Sequence, residues 1–117
     1  MILNDPQQKL WLCAQPVDMR KSFDGLSGVV TQKLQENAAS GQYFIFFNRR
    51  KTQIKILYFD GSGFCIWTKR LEAGQFNFNT SGEPKLLLNW LELRMIIDGI
   101  DVKNIRKFKR YQHILAA

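Results

Sequence analysis

The chain has 117 residues, 45% of them apolar and nine of them phenylalanine, enough to fill one compact core and too few for two large domains. No run approaches the roughly 18 consecutive apolar residues of a membrane span, and Met1 to Cys13 lacks the basic flank, apolar core and small-residue cleavage site of a secretory signal, so a cytoplasmic protein without membrane contact is expected. The net charge of +7 is uneven: of 17 lysines and arginines, five (Lys103, Arg106, Lys107, Lys109, Arg110) follow Val102 with no acid among them, leaving 12 basic against 10 acidic residues before it.

Taken in order, "KLWLCAQ" (Lys9–Gln15) is an apolar run stopped by Pro16 and reads as a first strand. "PVDMRKS" leads into a helix, with Ser22 as its expected cap and Asp24 at the positive end of its dipole. Leu26, Val29, Val30, Lys33 and Leu34 follow at the spacing of a buried stripe. Gly25 and Gly28 weaken helix propensity by about 1 kcal/mol each, with close approach to a sheet as the expected return. Three strands follow: "QYFIFFN", "QIKILYF" and "GFCIWTKRL", joined by "RRKT" and by the tight-turn signal "DGSG". Connections this short exclude parallel crossovers, so these strands form an antiparallel meander. Their residues are apolar on both alternating faces, which calls for helices on one side and the tail, a loop or a second subunit on the other.

In the last third, "GQFNF" reads as a short edge strand with Phe76 and Phe78 exposed, and "KLLL" (Lys85–Leu88) as another strand. Asn89 and Glu92 make a variant capping box for a helix from Trp90 to about Asp98, with Trp90, Leu93 and Ile97 on one face and Gly99 at the C-terminal cap. The expected fold is α+β: an antiparallel meander sheet, a helix after the first strand and a short C-terminal helix. It forms one domain over residues 1–101, with a basic tail over 102–117. The tail reads either as an amphipathic helix with Ile105, Phe108 and Leu115 on one side or as chain that orders on binding.

Cys13 and Cys65 fit neither a disulfide framework nor a zinc pattern, and each sits in an apolar run as a small core residue. The charges are more informative. An antiparallel meander brings Lys69 and Arg70 to the same end of the sheet as the turn Asn48-Arg49-Arg50-Lys51, and strand order decides whether Arg20 and Lys21 join them. Such a cluster suits phosphates, with Asn48 and the arginines also matched to base edges, and Arg106, Lys107, Lys109 and Arg110 of the tail add sequence-independent affinity. The plainer reading is a charged turn that blunts edge pairing and a tail that aids solubility.

An enzyme is not expected. The single histidine, His113, lies in the tail without fixed neighbours, and "DGSG" precedes a strand rather than a helix, so it is no phosphate loop. The carboxylates with any claim to a metal site, Asp18, Asp60 and Glu72, are better explained as turn residues or lie at opposite ends of the meander. Neither a cofactor nor a metal is implied.

Three stretches, "PVDMRKSFDGLSGVV", "IFFNRRKTQIKILYFDGSGFCIWTKRLEAGQF" and "LELRMIIDGID", together resemble the TnpB accessory proteins of insertion-sequence-sixty-six type bacterial transposable elements, across Leu12 to about Asp101. That family is unrelated to the RNA-guided nucleases sharing the TnpB name. The resemblance covers Asp18, Met19, Arg20, Lys21, Ser22 and Gly25, then Asn48, Arg49, Arg50, Lys55, Asp60, Gly61, Gly63, Lys69, Arg70, Leu71 and Glu72, with Phe59 where the family often has tryptophan. It implies a small protein encoded beside a larger transposase and needed for efficient movement of the element, and it assigns no catalytic residue. DNA and the transposase are the expected partners. A homo-oligomer is also compatible. The alternative to DNA contact is a module that docks on the transposase and scarcely touches DNA.

Overall fold

The computed structural model describes residues 7–99; the basic tail, with Arg106, Lys107, Lys109 and Arg110, lies outside the described residues. Five strands, β1 (Leu10–Cys13), β2 (Tyr43–Phe47), β3 (Gln53–Phe59), β4 (Phe64–Arg70) and β5 (Lys85–Leu88), form one sheet in the order β4-β3-β2-β1-β5. Two helices pack on it, α1 (Phe23–Val29), continued by a π-helical turn over Val30–Leu34, and α2 (Trp90–Ile97).

All five residues of β2 are buried, because side chains alternate across a strand and both faces here are covered. Phe44 and Phe46 join Leu57 of β3 on one face, under Leu26, Val29, Val30 and Leu34 of the helical segment. Tyr43, Ile45 and Phe47 join Ile54, Ile56 and Tyr58 on the other, under Leu93, Ile96 and Ile97 of α2 and Phe76 of the following loop. Each large side chain so buried contributes about 1.5–3 kcal/mol. The two-sided apolarity is therefore satisfied within one chain, by a helix on each face, and needs no second subunit.

The α+β class holds, but the sheet is mixed rather than a meander throughout. β2, β3 and β4 are successive antiparallel neighbours, whereas β1 runs parallel to β2, with Leu10 opposite Tyr43 and Leu12 opposite Ile45. The long link through α1 makes that parallel pairing possible. β5 closes the other side of β1, antiparallel, with Cys13 opposite Lys85.

Local expectations fare unevenly. Ser22 precedes α1 but its side chain makes no capping bond; Leu26 N–H donates to the Ser22 carbonyl instead. Gly25 does not serve approach to the sheet: a Cβ there would meet Lys21 Cβ at 3.0 Å, and one at Gly28 would meet nothing within 4 Å. α2 is capped as its sequence promises, with Glu92 N–H donating to Asn89 Oδ1 at 2.7 Å and Asn89 N–H donating to Glu92 Oε1 at 3.0 Å. Gly99 follows α2 with φ +74°, a left-handed conformation that glycine adopts at little cost. The segment around Gln75–Phe78 is not a strand, and Phe76 is buried, not exposed, because Phe47 lies edge-on beneath it at 5.4 Å. Phe78 is half-buried, stacked on Phe47 at 4.3 Å.

Candidate nucleic-acid interface

The strand directions bring the C-terminal ends of β1, β2 and β4 to one end of the sheet, together with the N-terminal ends of β3 and β5. Three connections meet there: residues 14–22, 48–52 and 71–84. Gln53 pairs with Arg70 and Ile54 with Lys69, so the second basic pair does stand beside the arginine turn. Val17 N–H donates to the Phe47 carbonyl at 2.9 Å, which draws the loop carrying Arg20 and Lys21 to the same end. The strand order left open by the sequence thus joins Arg20, Lys21, Arg49, Arg50, Lys51, Lys69 and Arg70, seven of the twelve cations before Val102, into one region.

The seven are not equivalent. Arg49 and Arg50 are exposed at the tip of the turn, and among the described residues neither side chain has a hydrogen-bond or ionic partner. Lys21 is likewise exposed and unpaired through its side chain. Arg20 forms a forked pair with Asp18, its Nη2 2.6 Å from Oδ2 and its Nε 3.1 Å from Oδ1. That guanidinium, seconded by the Arg20 backbone N–H, holds the Asp18 carboxyl down at about 2. Arg70 lies 3.5 Å from Glu72, with both side chains largely in water, so salt and solvent weaken the pair.

Three other lysines here are tethers. Lys69 Nζ donates to the Ile97 carbonyl at 2.9 Å, placing a cation at the negative end of α2. Lys51 Nζ donates to the Phe78 carbonyl at 3.4 Å and lies 4.4 Å from the centre of the Phe78 ring. Lys55, the lone charge in an apolar strand, reaches the Met19 and Lys21 carbonyls at 2.7 and 2.8 Å and ties their loop to the sheet. Its neighbours in sequence do not reveal this role, but a single lysine in a buried run signals it: such an ammonium needs partners.

Asn48 is committed to the turn itself. Its Oδ1 accepts from Thr52 N–H at 2.9 Å and Gln53 N–H at 3.1 Å, while Nδ2 donates to Thr52 Oγ1 at 2.9 Å. Both ends of its amide are engaged within the turn that carries the arginines. Beside the turn, Cys13 to Pro16, Asn48, Arg49, Lys51, Phe78 and Thr80 enclose a cleft of about 80 Å³. Asp60 sits at the far end of β3, its Oδ1 accepting from Ser62 and Gly63 N–H at 3.0 Å each. It does not meet Asp18 or Glu72, and among the described residues no three His, Cys, Asp or Glu side chains are grouped to hold a metal ion. Nor is any described helix long and apolar enough to cross a membrane.

A mixed five-stranded sheet, covered by a helix on each face and carrying exposed arginines at one end, defines a small α+β module. The chain belongs to the IS66 Orf2 like protein family, whose model matches residues 8–107. It is similar to two proteins of Sinorhizobium fredii, each carrying the name uncharacterized protein. To y4hO it is 29% identical over 101 residues, 86% of this chain and 88% of the relative. To y4jC it is 29% identical over 99 residues, 85% of each. No solved structure matches. Family membership supports an accessory role in transposition of an IS66-type insertion sequence.

Proposed function

We propose that the protein is a non-enzymatic accessory factor for transposition that contacts DNA phosphates through the basic end of its sheet. Arg49, Arg50 and Lys21 are its free cations, Arg20 and Arg70 exchange their carboxylates for phosphate, and Arg106, Lys107, Lys109 and Arg110 add affinity from the tail. The observation that carries this reading is the pair of exposed, unpartnered arginines on a turn tied down at both sides. Cations held in place and left unneutralised suit a polyanion, whose binding releases counterions. The reversal Arg49→Glu with Arg50→Glu tests it by fluorescence anisotropy with duplex DNA over a salt series. Affinity is expected to drop at least tenfold and the log–log salt slope by about 2, with thermal stability retained. Unchanged affinity and slope in a folded double variant would refute the platform.

The second reading, docking on the transposase with little DNA contact, gains nothing from Phe76, which is buried, or from Phe78, which is half-buried. It rests on Leu87 of β5 and Leu91 of α2, which are 56% and 51% exposed. Single exposed leucines are common on monomers, so the free arginines weigh more. Recovery of a transposase complex from nuclease-treated extract that survives Arg49→Glu with Arg50→Glu, and is lost on Leu87→Ser, would favour it.

A further inference from the structure

We infer that Lys51 and the segment Gln75–Phe78 form a brace that immobilises the arginine turn, so that DNA contact through Arg49 and Arg50 depends on residues that touch no DNA. The inference rests on the DNA reading for its consequence, but not for the brace itself. Lys51 has φ +57°, in the left-handed region that glycine and asparagine enter readily and a lysine does not. Strain of this kind persists where the surroundings over-determine it, and here they do. The Lys51 carbonyl accepts from Phe76 N–H at 2.7 Å, and the Arg50 carbonyl from Gln75 Nε2 at 2.8 Å. The Lys51 ammonium in turn lies over the Phe78 ring and reaches that residue's carbonyl. Phe78 is itself stacked on Phe47, which is 2% exposed, so the brace is anchored in the core.

Consecutive peptide units of the turn, those following Arg50 and Lys51, are therefore held by one neighbouring segment. A glycine at position 51 would satisfy the backbone more cheaply but would forfeit the tether. Cations on a loose turn must be ordered when they bind, which weakens association; cations on a held turn need not be. Lys51 is thus a positioning residue. Its ammonium is already engaged, and it makes no phosphate contact of its own.

The test uses the full chain with Lys51→Gly and, separately, Gln75→Ala, read by amide hydrogen exchange and by the salt dependence of duplex-DNA binding, with Arg49→Ala as comparator. Lys51→Gly suits the left-handed position, so the fold is expected to survive. Exchange at Lys51, Thr52 and Gln53 should accelerate at least tenfold in Lys51→Gly and measurably in Gln75→Ala, while β2 and β3 stay protected. DNA affinity should fall several-fold with the salt slope unchanged, whereas Arg49→Ala lowers the slope by about 0.9. A slope lowered by about 0.9 in Lys51→Gly, with turn exchange unaltered, would make Lys51 a phosphate ligand and overturn the inference. Unaltered exchange in both variants would remove the brace. Accelerated exchange in a protein whose parent binds no DNA would leave the brace standing and overturn its role in DNA contact, along with the DNA reading itself.

Discussion

At one end of β3 the Asn48 side chain accepts from Thr52 and Gln53 N–H; at the other the Asp60 side chain accepts from Ser62 and Gly63 N–H. The two turns use the same device, a short side-chain acceptor that satisfies the free backbone donors of a reversal. They differ in charge and in support. The first uses a neutral amide, carries Arg49 and Arg50, and is tied to the 75–78 segment. The second uses a carboxylate, carries Gly61 and Ser62, and is exposed through that stretch. A carboxylate at position 48 would make the same backbone bonds while cancelling part of the field of the arginines beside it. The neutral amide at the basic turn and the anion at the other leave the positive potential concentrated at one end.

The largest expected effects come from the cores behind the turns. Phe47→Ala should cost about 3–5 kcal/mol, because Phe47 is buried beneath both Phe76 and Phe78 at the basic end. Phe59→Ala, which removes a half-buried ring packed edge-on to Phe64 at 5.1 Å, should cost only about 1–2 kcal/mol. Urea denaturation measures both. Equal costs would mean that the two ends are supported alike.

A charge swap gives the next largest effect. Asn48→Asp keeps the acceptor oxygen and should weaken duplex-DNA binding several-fold at about 0.1 M salt. Asp60→Asn should change it less than twofold. β3 has seven residues, so Asp60 lies roughly 23 Å from the basic turn, more than two Debye lengths at that salt. Comparable losses in the two variants would break the assignment of binding to one end.

The smallest effect separates the turns by pH. Hydrogen bonds from Ser62 N–H and then Gly63 N–H hold the Asp60 carboxyl below the usual carboxylate range. A depressed folded pKa stabilises the folded turn fully above the unfolded value, about 4. That contribution is lost as pH falls through the lower folded value. Amide exchange at Ser62 and Gly63, corrected for its intrinsic pH dependence, should therefore lose protection below about pH 4. Thr52 and Gln53, bound to a neutral amide, should lose none in the same interval. Parallel loss at both turns would indicate general acid unfolding instead.

Much of this was legible in the sequence, and what escaped has common physical causes. Local signals held in the main: the Asn89–Glu92 box, Gly99 at the C-terminal cap, and the buried spacing of Leu26, Val29, Val30 and Leu34 are set by neighbours a few residues apart, whereas Lys33, expected in the same stripe, is exposed. The co-location of Lys69 and Arg70 with the arginine turn also followed, since tight turns fix register. Long-range partners did not follow. That β1 lies parallel to β2, which brings Arg20 and Lys21 to the basic end, depends on how the whole sheet packs. Phe76 reads as exposed in a polar, glycine-flanked stretch and becomes buried because Lys51 and Phe47 offer it a backbone bond and a ring. Lys51 and Lys69 read as free cations, and distant carbonyls claim them. Charge is visible in a sequence, whereas engagement is visible only in the fold.

The most direct test of the contrast between the two turns is a titration of duplex DNA into isotopically labelled full-length protein, followed through its amide resonances. The amides of Arg49 to Gln53 should shift progressively with added DNA, and those of Asp60 to Phe64 should stay in place. Shifts at both turns alike, or confined to the Asp60 turn, would contradict the claim that the braced arginine end is where this protein meets DNA.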